Sequence, residues 1–182
     1  MNRMRIQAAL APGGVAAILF AAILFTVIFV TAGASHAAET ENLISQIKAV
    51  GAEGNGNEAA AVAVAGLSAG GVDSLPEILA GFKGASPLAA NYLRSAAETI
   101  ADRQLADGAK LPASRLEQLV KDGKQDPRAR RLAYELLLRV DKSAEERLIP
   151  GMLLDSSPEF RRDAVQRLLD QANDKRLSEK QV

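Results

Sequence analysis

From Thr40 onward the apolar residues of this chain recur at helical spacing, in segments of about 10 to 20 residues separated by short breaks rich in Gly, Pro, Ser or Asp. No segment alternates apolar and polar residues with period two, the pattern that a half-buried strand requires. An all-α fold is therefore expected. Composition agrees, because Ala and Leu are abundant, Trp is absent and aromatics make up only 4% of residues. A core must then come from aliphatic helices more than from β-branched strands.

The breaks set the expected helices. The first, 40–50, puts Leu43, Ile44, Ile47 and Val50 on one face and stops at Gly51. Asn57 reads as the N-cap of an Ala-rich second helix, 58–69. Ser74 and Glu77 have capping-box spacing ahead of Leu75, Ile78, Leu79 and Phe82. Ser86 and Pro87 open a fourth helix that carries Leu93, Ala96, Ala97 and Ile100 inward and ends before Gly108. A fifth, 112–122, contains Leu116, Leu119 and Val120. The sixth starts at Asp126 and Pro127 and buries Ala129, Leu132, Ala133, Leu136, Leu137 and Val140. Ser143 and Glu146 suggest a second capping box for a seventh helix reaching Leu154, and Ser157 and Pro158 open an eighth that reaches Ala172. The polar residues 173–182 are expected to fray as a tail.

These segments pair into hairpins that recur at about 30 to 40 residues, as in arrays where each unit buries its apolar face against its neighbours. Asp126, Pro127, Arg128, Ala129, Arg130, Arg131, Leu132, Ala133 aligns with Ser157, Pro158, Glu159, Phe160, Arg161, Arg162, Asp163, Ala164. Cap, Pro, Arg and Ala coincide. Ser86 and Pro87 begin the same way but have Ala90 in place of the Arg. Together with Leu148, Ile149, Pro150, Leu153, Leu154 and Asp155, the second of these stretches resembles one complete HEAT repeat of the phycocyanobilin-lyase-like kind. The resemblance covers the last two repeats well and the first two weakly. It implies a short right-handed α-solenoid of about four hairpins over 38–172. It also implies a scaffold or adaptor of the sort often appended to other domains, and a structural role for Arg130 and Arg161 between repeats. On that reading, loss of either Arg costs on the order of 1 to 3 kcal/mol.

Ahead of the helices, Arg3 and Arg5 precede an apolar run, Val15 to Val30, and then Gly33, Ala34, Ser35, His36 and Ala37. This is the order of an export signal, with cleavage expected after Ala37. The alternative is a retained membrane anchor, because Val15 to Ala32 carries no charge and reaches the lower length for a span. Either way residues 38–182 are expected outside the cytoplasm, periplasmic or secreted. With no Cys, neither disulfides nor thiolate metal sites stabilise the chain there.

Chemistry finds little purchase. Gly66, Leu67, Ser68, Ala69, Gly70 matches G-x-S-x-G, but His36 is the only His and no strand precedes Ser68. Pairs such as Glu145 and Glu146, or Asp102 and Asp107, are what solvated helix faces carry anyway. No Cys, no usable His and no Asp-rich loop offer a metal or cofactor site. With 22 basic and 22 acidic residues the chain has no net charge to draw a polyanion. The basic cluster Lys121, Lys124, Arg128, Arg130 and Arg131 is diluted by Asp122 and Asp126 and lacks interleaved aromatics, so no nucleic acid is expected.

The expected function is a non-catalytic scaffold that binds a protein, or alternatively a glycan, and touches membrane only through an uncleaved N-terminal segment. A further alternative is the helical N-terminal module of a larger exported enzyme. At 100° per residue, the side of the sixth helix opposite its core residues carries Arg131, Tyr134, Glu135 and Leu138. Arg131, Tyr134 and Leu138 are the expected centre of a partner surface, bordered by Asn91, Arg94, Glu98, Arg162 and Gln166. The alternative is that Tyr134 and Leu138 pack against the neighbouring repeat.

Overall fold

The computed structural model describes residues 36–179, and among them all regular structure is helical. Residues 39–48 belong to α1. Then follow α2 (Asn57–Ala69), α3 (Leu75–Ala80), α4 (Pro87–Ala106), α5 (Ala113–Lys121), α6 (Pro127–Val140), α7 (Ala144–Leu148) and α8 (Pro158–Glu179), with short 3-10 turns at Ala52–Gly54, Val72–Ser74 and Ile149–Met152. Glu39–Val182 form one compact unit. The export or anchor segment Val15 to Ala32 lies outside the described residues, and no described helix is long and apolar enough to cross a membrane.

Local chemistry explains the helix starts. Pro87 and Pro127 sit at the first helical position, where a missing N–H costs no hydrogen bond. Ser86 Oγ accepts from Ala89 N at 3.1 Å, and Asp126 accepts from Arg128 N at 2.9 Å. Three expected caps do not form. Asn57 is already helical, because Gly56 at φ 77° makes the turn into α2, and its side chain instead accepts from the Tyr92 hydroxyl at 3.3 Å. Ser74 and Ser143 have helical dihedrals where a cap needs extended ones. Their hydroxyls turn back to Gly71 O and Asp141 Oδ1, each at 2.7 Å.

Helix lengths depart from expectation twice. The seventh stops at Leu148 and tightens into a 3-10 turn, because Pro150 has no N–H to continue the ladder. The eighth runs on to Glu179 and does not fray at Asn173, since 159–179 contains neither Gly nor Pro and is rich in good helix formers. Val140, placed inward by its spacing, is 36% exposed at the end of α6.

The core follows the aliphatic stripes. Ile44, Ile47, Leu67, Leu75, Ile78, Leu79, Phe82, Leu93, Ile100, Leu116, Leu132, Leu136 and Leu137 are all buried. Helix α2 packs on α4 and α4 on α6, while α3 lies against α4 and α6, and α5 against α6. Helix α1 meets α2 and the end of α3: a Cβ at Gly66 would stand 3.2 Å from Leu43, and one at Gly81 2.8 Å from Ile44. Small residues permit these approaches.

Candidate interaction surface

Successive even-numbered helices are tied by Arg side chains that reach forward along the row. Arg94 on α4 bonds Glu135 on α6 as well as its own Glu98 at 2.9 Å. Arg131 on α6 bonds Asp163 on α8 and lies 3.1 Å from Glu135 and 3.7 Å from Glu159. Contacts also run backward. Arg139 reaches Asp102 at 2.6 Å, and Arg103 donates to Ser68 O at the end of α2 at 2.6 Å and to Gly70 O. For both Arg94 and Arg131, burial works against the charge but the paired carboxylates outweigh it and hold the guanidinium more strongly protonated than usual.

This network changes the reading of the expected partner surface. Tyr134 is only 4% exposed and packs edge-on against Phe160 of α8, with ring centroids 5.6 Å apart and planes at 82°. A side chain so buried does not offer the centre of a docking patch; what Tyr134 packs against is Phe160 of α8. The row of helices covers more than one stripe of α6, so an angular argument from that helix alone misassigns its second flank. Leu138 is partly buried against the same core. Arg131 is committed to three carboxylates and stacks 5.4 Å over Tyr134 and 5.8 Å over Phe160. Arg94 is half-buried and paired, whereas Asn91, Arg162 and Gln166 are exposed; the Arg162 side chain retains 73% exposure and, among the described residues, lies within ion-pair distance only of Asp163 on its own helix, at 3.5 Å.

Arg130 is 1% exposed. Its Nε donates to Val120 O at the end of α5 at 2.9 Å, and its two terminal nitrogens grip Asp155 at 2.8 and 2.6 Å. Its guanidinium lies 5.1 Å over the Phe160 ring. Bonding to Arg130 is the chief cause of an Asp155 carboxyl held below its usual range. Arg161, its repeat equivalent, is half-buried and donates to the carbonyls of Asp155 and Ser156 at 2.6 and 3.1 Å.

Exposed apolar side chains gather on α8. Val165, Leu168 and Leu169 are 48%, 51% and 54% exposed, and Leu154 before the helix is 96% exposed. None of these residues is among those expected from the sequence to bind a partner, although the alignment of the sixth and eighth helices carries the signal. Extended along the helices, it sets Val165 against Tyr134, Leu168 against Leu137 and Leu169 against Leu138. On α6 those positions are covered by α8 and the core; on α8 they are open.

The other candidate chemistry does not assemble among the described residues. Gly66 to Gly70 is the last turn of α2 and its cap, not the strand-to-helix turn of a nucleophile elbow. Asp102 is bound to Arg139, and no group of acidic or His side chains with metal-binding geometry is present among the described residues. Of the basic cluster, Lys121 pairs with Glu117 at 2.6 Å and Arg128 with Asp126 at 2.8 Å, while Arg130 and Arg131 are engaged as above. Comparison with family models, with curated proteins and with solved structures finds no match for this chain.

Proposed function

We propose that this chain is an exported, non-catalytic scaffold built of HEAT-like hairpins that holds a protein partner on its α8 side. The observation that carries the reading is the open stripe Val165, Leu168 and Leu169, on a helix tied to α6 by the Arg131–Asp163 pair. Solvent does not favour large apolar side chains on one helix face, and such patches commonly mark interaction surfaces. The contacts of α2 with α4 and of α4 with α6, together with the Tyr134–Phe160 packing of α6 on α8, support the solenoid arrangement. A protein fits better than a glycan, because Tyr134 and Phe160 are buried and offer no aromatic platform. Export rests on the order basic residues, apolar run, small residues at the N-terminus.

The experiment is a photo-crosslinking side chain placed at Leu168 in cells, with exposed Glu58 on α2 as the control position. A defined protein adduct at 168 and none at 58 supports the scaffold. Adducts that do not differ between the two positions count against it. Intact mass of the exported protein tests localisation, with a mature N-terminus expected between Ser35 and Glu39.

A further inference from the structure

The α6–α8 contact is a worked example of how this chain receives a helix, and α8 presents aligned elements again with no other described helix packed on them. On α6, Arg130 stacks on an aromatic of the incoming helix, Phe160, while Arg131 takes its carboxylate, Asp163, three residues further on. Tyr134 supplies the apolar floor under Phe160, with Leu137 buried in the adjoining core and Leu138 partly buried beside it. On α8 the equivalents stand in the same order: Arg161 and Arg162, then Val165, Leu168 and Leu169. Among the described residues Arg162 meets no carboxylate on another helix, whereas Arg94 and Arg131 each reach one on the next even-numbered helix. Residues that face α6, namely Glu159 and Asp163, lie on the opposite flank of α8 from the open stripe, so that stripe points where a further helix of the row would lie.

Resting on the scaffold reading above, we infer that α8 docks an amphipathic helix of a partner polypeptide, lying along α8 as α8 lies along α6. That helix carries an aromatic residue over Arg161, a carboxylate three residues later against Arg162, and aliphatic residues on Val165, Leu168 and Leu169. Likeness to the α6–α8 contact selects the occupant, because the aligned Arg130, Arg131 and Tyr134 of α6 already accept a helix with an aromatic and a carboxylate at this spacing.

A helix-stapled, fluorescein-labelled peptide of residues 157–172 presents the required aromatic and carboxylate as Phe160 and Asp163, and its binding to the full chain can be read by anisotropy. Saturable binding is expected. Leu168→Asp in the protein should abolish it, and Arg162→Glu should weaken it by roughly tenfold or more, with a peptide carrying Asp163→Arg restoring binding to that variant. Because Leu168 and Arg162 are exposed, neither change should lower the melting temperature, and Val165→Gln gives a milder second variant. Absence of binding, or binding indifferent to both protein variants, overturns the inference. So does Leu168-dependent dimerisation in sedimentation, which would make a second copy the occupant. A specific cellular adduct at 168 alongside a silent peptide would leave the scaffold standing and remove the acidic-helix partner, so the two readings fail separately.

Discussion

Replacing Arg130 by Ala tests the internal logic of the fold most directly. The side chain is 1% exposed and its loss strands two acceptors: Val120 O and the Asp155 carboxylate, whose side chain is 14% exposed. It also removes the cation stacked 5.1 Å over Phe160. Breaking a buried pair from one side costs about 3 to 5 kcal/mol. The lower half of that range applies here, because Asp155 keeps the Ser157 N–H at 2.8 Å and some contact with water. This exceeds the 1 to 3 kcal/mol expected from sequence, since the bond is bidentate and more deeply buried than repeat position alone implied. At roughly 2 to 4 °C per kcal/mol for a chain of this size, the melting temperature followed by far-UV circular dichroism should fall by about 10 °C. Arg130→Met combined with Asp155→Asn removes the orphaned charge and should regain more than half of the loss. A second check uses pH. The folded Asp155 pKa lies below its ordinary value of 3.8, so its stabilisation is complete above that value and is lost as pH falls toward the depressed folded value. The stability gap between wild type and Arg130→Ala should therefore narrow in acid. A melting temperature within about 3 °C of wild type at neutral pH would refute the reasoning, because it would mean that the pair contributes no more than an exposed one.

Tyr134→Phe should leave neutral-pH stability almost unchanged, and an alkaline titration followed by tyrosinate absorbance should lose its latest transition. Burial is the main cause that pushes this phenol up to about 12, so wild type should lose stability between the ordinary value of 10.0 and that point, as the unfolded chain ionises first. Gly81→Ala should destabilise by about 1 to 3 kcal/mol in urea unfolding, because the new methyl would stand 2.8 Å from Ile44 and 3.1 Å from Ile78 O. Ser86→Ala should cost about 1 kcal/mol in the same assay through loss of the bond from Ala89 N.

Helical class and helix starts were legible in the residues themselves, because both are local properties. Period fixes which face of a segment is apolar, and Ser86–Pro87 and Asp126–Pro127 mark their helices through a bond that spans two or three residues. Where those local signals failed, a neighbouring turn intervened: Ser74 and Ser143 were already in helical dihedrals and had no free geometry to cap with. The repeat alignment also identified Arg130 as a structural residue, although its partners Val120 O and Asp155 come from two different hairpins and no spacing rule names them. What covers a given flank is not local at all. Tyr134 and Val165 align when α6 and α8 are superposed by their Pro residues and both lie off the main apolar stripe, yet one is sealed by Phe160 and the other faces water. The spacing of the sixth helix alone was enough to show that Tyr134 and Leu138 lie on a second flank, away from Ala129, Ala133 and Leu136. Whether such a flank is buried was settled by the tertiary arrangement, because it depends on side chains far away in sequence, as Phe160 is from Tyr134, and no local spacing rule names them.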